Sequence, residues 1–128
     1  MDSVWRIGMR FFADDNYHFQ FLRMLGHTYG RAADIGECLE TATRITSGDD
    51  ASWYHAWKAT GDRVFAIAER CAAAGHGASA GEAYLRASNY YRTASFYHHA
   101  GTDDQETLAT ARVFDWLDDV FAGKPVPA

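Results

Sequence analysis

Proline is absent from most of this 128-residue chain, and its two prolines, Pro125 and Pro127, lie at the extreme C-terminus. Proline interrupts helices because its ring removes a backbone donor and clashes with the preceding turn. A chain without proline before residue 125 is therefore free to form long helices. Glycine is the other residue that interrupts helices, and we interpret its small clusters as breaks between them. These clusters are Gly26 and Gly30, Gly48, Gly75 and Gly77, Gly101, and Gly123.

Between these breaks, apolar residues recur at intervals of three and four, which places them on one face of a helix. One stripe within residues 32–45 consists of Ile35, Cys38, Leu39, Ala42 and Ile45. A second stripe, within residues 51–74, consists of Trp53, Trp57, Val64, Ile67, Ala68 and Cys71. Gly48 separates the two, with Asp49 or Asp50 as the N-cap of the second helix. We predict an all-α fold, an antiparallel array of about five to six helices with no sheet.

Two polar segments fit the capping box, in which Ser or Thr caps a helix and a Glu or Gln three residues later bonds back. The segments are Ser79–Glu82 and Thr102–Gln105. The first predicts a helix that begins at Ser79 and runs to about His99, and the second predicts a last helix that ends at Gly123. The first 30 residues differ, because they are dense in aromatics; we expect a short helix on each side of the polar break at residues 14–16.

The segment Gly77-Ala78-Ser79-Ala80-Gly81 also fits G-x-S-x-G, the nucleophile elbow of serine hydrolases. An elbow requires a strand before the serine and a helix after it, because the sharp turn between them exposes the hydroxyl. The residues before this segment are rich in alanine, with Arg and Glu in helical phase, which predicts a helix there. We therefore interpret Ser79 as the start of a helix and not as a catalytic serine.

Composition argues against several classes of partner. The formal net charge is −5, whereas nucleic acids and anionic membranes bind basic surfaces, so neither is an expected partner. No run of 18 apolar residues is present, so no membrane span is expected. The N-terminus carries no signal-like apolar stretch, which predicts a cytoplasmic location.

Metal and disulfide chemistry are not predicted either. The six histidines form no H-x-x-x-H or H-E-x-x-H pair, the spacing that places two zinc ligands on one helix face. Cys38 and Cys71 fall within helical patterns, and we expect both to be buried reduced thiols. We therefore expect no metal and no cofactor.

The aromatic residues at helical spacing have two interpretations. Ordinary core packing is one, since Trp53 and Trp57 are four residues apart and Tyr84 and Tyr91 lie two turns apart. The other is the wall of an apolar pocket, in which tyrosine hydroxyls orient a ligand. In that case, the residues expected to line a substrate pocket are Phe12, Tyr17, Trp53, Trp57, Tyr84, Tyr91 and His98.

Three segments hold rare residues at a characteristic spacing. They are Asp34-Ile35-Gly36-Glu37; then Gly48-Asp49 followed by Ser52-Trp53-Tyr54 and Trp57; and then Ala83 to Ala94, which contains Tyr90-Tyr91-Arg92. Together they resemble the N-terminal helical region of a family of α/β-hydrolases. This family contains enzymes similar to 2,6-dihydroxypseudooxynicotine hydrolase and to the fermentation-respiration-switch esterase. The resemblance extends from about Phe11 to Phe121.

The resemblance implies a cap, or lid, that covers an apolar substrate pocket above a doubly wound catalytic domain. It also implies that the nucleophile, the acid and the histidine lie in that catalytic domain, so no catalytic residue carries over to this chain. The partner it implies is a missing or separate α/β-hydrolase core domain, or a second copy of this chain through self-association. The ligand it implies is a small apolar molecule, with no catalytic triad in this chain to act on it.

On this basis we divide the chain into three parts that form one compact unit. Residues 1–30 form an aromatic-rich helical arm, residues 31–123 a helical cap-like domain, and residues 124–128 a tail. Two other functions fit the same pattern. The first is a stand-alone helical module that binds a small molecule or a peptide, and the second is a structural interaction domain without a ligand.

Overall fold

The computed structural model describes residues 10–97 and 104–123 of the chain. Within these ranges the chain forms five α-helices, with 3-10 turns at His27–Gly30 and Ser95–Tyr97 and no strand. The helices are α1 (Asp15–Gly26), α2 (Ile35–Ala42), α3 (Asp50–Ala73), α4 (Gly77–Ala94) and α5 (Asp104–Phe121). The predicted all-α class is therefore confirmed.

Helices α3 and α4 form the centre of the fold, and α5 packs against α4. The buried face of α3 presents the predicted stripe, with Trp53, Trp57, Val64 and Ala68 fully buried. Trp53 Nε1 donates to the backbone carbonyl oxygen of Thr93 at 2.8 Å, which joins α3 to α4. The centre is thus held by apolar burial together with a hydrogen bond between helices that are distant in sequence.

Two glycines allow aromatic rings to lie directly on a helix backbone. A Cβ atom at Gly61 of α3 would lie 2.7 Å from the Tyr91 ring, and a Cβ atom at Gly81 of α4 would overlap the Trp116 indole. Any larger side chain at these positions would push the neighbouring helix outward. Gly81, which completes the G-x-S-x-G match, is therefore a packing glycine between α4 and α5.

Aspartates begin the first three helices. Asp14, Asp34 and Asp49 precede α1, α2 and α3, and each carboxylate accepts the backbone N–H three residues later. Each side chain satisfies a donor that the first turn of a helix otherwise leaves unpaired. The N-cap predicted at Asp49 is confirmed, and α2 is shorter than the helical pattern of residues 32–45 suggested.

The capping box predicted at Ser79 is wrong. Helix α4 begins at Gly77, its N-cap residue is His76, and no side chain caps it. Gly75 adopts a φ of 79°, a left-handed conformation that ends α3 and lets α4 start before Ser79 is reached. Ser79 is exposed in the first turn of α4, and Glu82 Oε1 accepts from Arg31 Nη1 at 2.6 Å instead.

The same geometry excludes the nucleophile elbow, because the residues before Ser79 form helix α3 and a short turn rather than a strand. Helix α4 also ends earlier than predicted, at Ala94, and a 3-10 turn follows it. The predicted cap at Thr102 and the predicted end at His99 lie outside the described residues. So does most of the predicted first helix, and residues 10–14 are not helical.

Ser79 and Asp49 are expected to respond differently to alanine. Asp49→Ala should lower the free energy of unfolding by about 1 kcal/mol, because the carboxylate that accepts the Ser52 N–H is lost. Ser79→Ala should change it by less than about 0.5 kcal/mol, because the exposed hydroxyl caps nothing. Urea unfolding of both variants, followed by circular dichroism, measures the difference. A larger loss for Ser79→Ala than for Asp49→Ala would contradict the position of the α4 terminus.

Candidate functional site

Six of the seven predicted pocket residues are described, and all six are buried, with exposed fractions between 0% and 6%. Phe12, Tyr17, Trp53 and Trp57 form an aromatic cluster. The Trp53 ring centroid lies 4.8 Å from that of Tyr17 and 5.9 Å from that of Trp57, and Phe12 meets Tyr17 edge-on at 5.8 Å. Core packing accounts for this arrangement, and a role in substrate contact stays a prediction.

Two of the remaining predicted residues lie outside this cluster. Tyr84 and Tyr91 are on α4, where Tyr91 rests on Gly61 of α3 and Tyr84 packs against Phe65 with ring centroids 5.7 Å apart. His98 lies outside the described residues. The structure therefore brings four of the seven residues into one cluster and places the two α4 tyrosines along the α3–α4 interface.

Four buried tyrosines each donate their hydroxyl to a carboxylate. The pairs are Tyr17 with Asp50 at 2.5 Å, Tyr84 with Glu69 at 2.7 Å, Tyr90 with Glu37 at 2.7 Å, and Tyr91 with Asp62 at 2.6 Å. Each ring is buried in the core while its hydroxyl reaches a carboxylate near the surface. The pairs satisfy the polar ends of the tyrosines and fix the orientation of their rings.

Glu37 is the centre of a polar cluster between α2 and α4. Its Oε1 accepts from Tyr90 Oη at 2.7 Å and from Arg86 Nε at 2.9 Å. The backbone N–H of Asp34 donates to Tyr90 Oη at 2.9 Å. The Arg86 and Glu37 side chains are only 20% and 13% exposed, so losing one partner would leave the other charge poorly solvated. The Asp34–Glu37 and Ala83–Ala94 segments, which carry the family resemblance, meet at this cluster.

Burial raises the pKa of several groups in this region. Burial, followed by the hydrogen bond to Glu69, raises the pKa of Tyr84 to about 12. The pKa values of Tyr17 and Tyr90 are also raised, and burial is the main cause in both cases. Burial likewise raises the pKa of the Cys38 thiol to about 12, so this group stays protonated and unreactive at neutral pH. Cys38 and Cys71 are both free thiols, and Cys71 is only half-buried.

Alkaline conditions are expected to unfold the protein as its tyrosines ionise. The ordinary pKa of a tyrosine is 10, and the folded value of Tyr84 is about 12. Its contribution to stability is therefore complete below pH 10 and is lost as the pH rises towards 12. Tyrosinate absorbance and helical circular dichroism should change together, and Tyr84→Phe should reduce the alkaline loss. Full tyrosinate formation with unchanged helical content would contradict this expectation.

A groove of about 290 Å³ lies beside Tyr84, between α4 and α5. Gly77 and Gly81 line it from α4, and Arg112 and Trp116 line it from α5. Arg112 Nε lies 4.0 Å from Glu69 Oε1, the atom that also accepts from the Tyr84 hydroxyl. Among the predicted pocket residues that the structure describes, Tyr84 lines this groove.

Several exposed apolar side chains occur on α1, α2 and the turn between them, and we call this set the α1–α2 face. The exposed large apolar side chains of the described residues are Phe19, Leu22, Tyr29, Ile35, Leu39 and Phe114, and all but Phe114 belong to this face. Ile35 and Leu39 of the predicted apolar stripe are exposed, because α2 contacts the core through Cys38 and Thr41 instead. Thr41 is tolerated inside because its hydroxyl bonds Thr60 Oγ1 at 2.6 Å.

Neither a membrane span nor a metal-ligand cluster occurs in the described part of the chain. Every helix there is too short or too polar to cross a bilayer. Among the same residues, no three His, Cys, Asp or Glu side chains are grouped as ion ligands would be.

Sequence comparison relates the chain to proteins named as hydrolases. It is 44% identical over 101 residues to 20-hydroxy-prefusarin hydrolase from Gibberella moniliformis, which covers 79% of this chain and 24% of that protein. It is 42% identical over 95 residues to a hydrolase from Fusarium sp, covering 74% of this chain and 23% of the relative. An α/β hydrolase from Aspergillus fumigatus is 39% identical over 103 residues, which cover 79% of this chain and 23% of that protein.

Neither a protein-family model nor a solved structure gives a significant match. The chain spans about a quarter of the length of the curated relatives it matches. Identity near 40% over about four fifths of the chain indicates common descent with those proteins. The chain is therefore related to the α/β-hydrolases, to a part that makes up about a quarter of each relative.

Proposed function

We propose that this chain acts as the helical cap of an α/β-hydrolase-like protein, which packs on a catalytic core and covers an apolar substrate pocket. The observation that carries the proposal is the similarity to hydrolases over about a quarter of their length. On this proposal the catalytic nucleophile, acid and histidine belong to the core. This chain contributes shape, exclusion of water and contact with the substrate.

The helical fold supports the assignment of the catalytic residues to the core and not to this chain. A nucleophile elbow requires a strand, and the described ranges contain none. The buried tyrosines donate to carboxylates, and their raised pKa values suit structural hydroxyls rather than nucleophiles. These tyrosine hydroxyls and carboxylates are thus engaged in holding the helices together.

We propose the α1–α2 face as the surface that packs on the core. Its five exposed apolar side chains fall within residues 19–39. An apolar concentration of this kind on one part of a soluble domain is typical of a surface that is covered in its assembly. The same face would promote self-association when no core is present, which concentration-dependent sedimentation of the chain would detect.

The substrate-lining role of Phe12, Tyr17, Trp53, Trp57, Tyr84, Tyr91 and His98 stays part of this proposal. Tyr84 is the member that lines a groove. The buried members would act indirectly, by holding the helices that form the pocket wall. A stand-alone binding module is the alternative, and it requires no hydrolase core.

An exchange of segments tests the proposal. The 101-residue matching segment of the Gibberella moniliformis hydrolase is replaced by the corresponding part of this chain, and hydrolysis of that enzyme's own substrate is measured. We expect the chimaera to fold and to retain activity well above that of the enzyme with the segment deleted. Phe19→Asp with Leu22→Asp in the chimaera should abolish this gain, while Phe114→Asp, also at an exposed apolar residue, should not.

A chimaera that folds but is no more active than the deletion variant would contradict the cap function. If the Phe19→Asp, Leu22→Asp chimaera is as active as the parent chimaera, the proposed docking face is contradicted, but the cap function is not. A folded chimaera with no more activity than the deletion variant would favour the stand-alone binding module.

A further inference from the structure

Helix α2 lies within a segment that is bracketed by two residues with left-handed backbone. Arg31, before the helix, has a φ of 60°, and Gly48, after it, has a φ of 82°. This conformation turns the chain sharply, and a residue other than glycine adopts it against its own preference. We call residues 32–47 the α2 strap. Both ends of the strap are thus sharp turns, the kind of position at which hinges occur.

The apolar side chains that attach the α2 strap to the core are mostly small. Cys38 is fully buried and Ala33 is 4% exposed, while Ile45 is only partly buried. The larger side chains of α2 itself are on its outer side, where Ile35 is 52% exposed and Leu39 is 42% exposed. The hydrophobic free energy scales with the apolar area that is buried, so apolar contact holds this segment weakly. A helix as short as α2 also depends on such outside contacts to stay helical.

Hydrogen bonds attach the first turn of α2 to α4. Tyr90 Oη donates to Glu37 Oε1 at 2.7 Å and accepts the backbone N–H of Asp34 at 2.9 Å. Arg86 Nε donates to the same Glu37 oxygen at 2.9 Å. We call these three bonds the latch. Tyr90 takes part in two of them, and its side chain is fully buried.

A second polar contact attaches the other end of α2 to α3. Thr60 Oγ1 bonds Thr41 Oγ1 at 2.6 Å, and Arg44 Nη2 donates to the same Thr60 oxygen at 2.7 Å. Hydrogen bonds are lost once donor and acceptor separate beyond about 3.5 Å. A movement of the strap by about 1 Å would therefore break several of these bonds together. Such an attachment has two discrete states, closed and open, rather than a continuous range.

We propose that the α2 strap opens as a unit while α1, α3 and α4 stay folded, and that the latch controls this opening. Opening separates Glu37 from Arg86 and Tyr90, and it gives solvent and small molecules access to Cys38 and to the Tyr90 side of α4. Segments with few buried apolar contacts open at a lower free energy than the whole protein unfolds. The opening does not depend on the proposed cap function, because every contact of the latch lies within this chain.

Docking of a hydrolase core would close the strap, a consequence that does rest on the proposed cap function. Ile35 and Leu39, on the outer side of the strap, belong to the α1–α2 face. A partner that binds the closed state shifts the population towards it. Opening is measured on the chain alone, whereas the cap function is measured by hydrolysis in the chimaera, so either can fail without the other.

The buried Cys38 thiol reports the opening directly. The chain contains two cysteines, so Cys71→Ser leaves Cys38 as the only thiol, and iodoacetamide labels it when the strap is open. Where closing is faster than labelling, the labelling rate relative to that in urea-unfolded chain gives the open fraction. We expect this fraction to exceed the globally unfolded fraction, obtained from urea unfolding, by about tenfold or more. An open fraction no larger than the globally unfolded fraction overturns the proposal.

Two adjacent tyrosines of α4 provide a matched pair of variants. Tyr90→Phe removes two bonds of the latch, whereas Tyr91→Phe removes a 2.6 Å bond to Asp62 of α3. Both rings are buried and both substitutions keep the ring. In the Cys71→Ser background, Tyr90→Phe should raise the Cys38 labelling rate by about tenfold, and Tyr91→Phe by less than about twofold. Circular dichroism confirms that both variants are folded, and equal acceleration by the two overturns the role of the latch.

Hydrogen exchange followed by mass spectrometry gives an independent readout. Backbone amides of α2 should exchange together, and faster than those around Val64 of α3 and Ala87 of α4, which are fully buried. Tyr90→Phe should accelerate exchange in α2 and leave the centres of α3 and α4 unchanged. Exchange in α2 that is as slow as at those centres, or that accelerates only together with them, overturns the opening of the strap as a unit.

Discussion

Replacing Trp53 with alanine is expected to lower the free energy of unfolding by about 4 kcal/mol, among the largest effects of any single truncation here. Trp53 is fully buried. Its ring lies within 6.1 Å of the rings of Phe12, Tyr17, Trp57 and Tyr97. Truncation therefore leaves a large cavity at the junction of α1, α3 and the turn after α4. It also leaves the Thr93 carbonyl oxygen without the indole donor.

Two controls separate the contributions of the Trp53 ring. Trp53→Phe keeps an aromatic ring but loses the 2.8 Å bond to Thr93, so its cost should be about half that of alanine. Phe114→Ala removes an aromatic that is 61% exposed, and we expect a change of less than about 0.5 kcal/mol. Urea unfolding followed by circular dichroism gives all three values. A Trp53→Ala cost as small as that of Phe114→Ala would show that the aromatic cluster is not the core.

Replacing Gly61 with valine is expected to lower the free energy of unfolding by about 2–3 kcal/mol, through overpacking rather than a cavity. A Cβ atom at Gly61 would lie 2.7 Å from two carbons of the Tyr91 ring. That ring has little freedom to move, because it is 2% exposed and its hydroxyl is held by Asp62 at 2.6 Å. Helices α3 and α4 would therefore have to separate where they pack together.

A glycine in open space provides the matched control for Gly61. Gly26, the last residue of α1, has a φ of −62°, and a Cβ atom there would meet nothing within 4 Å. Gly26→Ala should therefore raise the free energy of unfolding by about 0.5–1 kcal/mol, because alanine restricts the unfolded chain. Thermal unfolding of both variants measures the contrast. Similar stabilisation by Gly61→Val and Gly26→Ala would rule out a close α3–α4 contact.

The helical segments and the start of α3 could be predicted from the sequence because they depend on neighbouring residues. The absence of proline permits long helices, and the spacing of Trp53, Trp57 and Val64 determines which side of α3 is apolar. Asp49 caps α3 through a carboxylate only three residues from the N–H that it accepts. Interactions of this range are contained in any short window of sequence.

Predictions failed in two places. One is the start of α4, where two nearby residues could each set the helix terminus, and the other is α2, where either of two sides of the helix could face the core. Ser79 fits a cap, but Gly75 ends α3 early enough for α4 to begin before Ser79. Ile35 and Leu39 form an apolar stripe, yet α2 turns Cys38 and Thr41 to the core. The buried Thr41 hydroxyl donates to the Glu37 carbonyl oxygen within its own helix at 2.6 Å, and it also bonds Thr60 Oγ1 of α3 at 2.6 Å. No window around α2 contains that partner.

The sequence by itself determined the helical class, the apolar face of α3 and the aspartate cap of that helix, because each follows from residues within a few turns of one another. Tertiary structure alone decided which polar groups meet. Glu37 meets Arg86 and Tyr90, 49 and 53 residues away, and Asn89 of α4 donates to the carbonyl oxygen of Ala32, 57 residues away. Hydrogen bonds and charges act over a few ångströms in space. Their partners are therefore set by how the helices pack and not by their order along the chain.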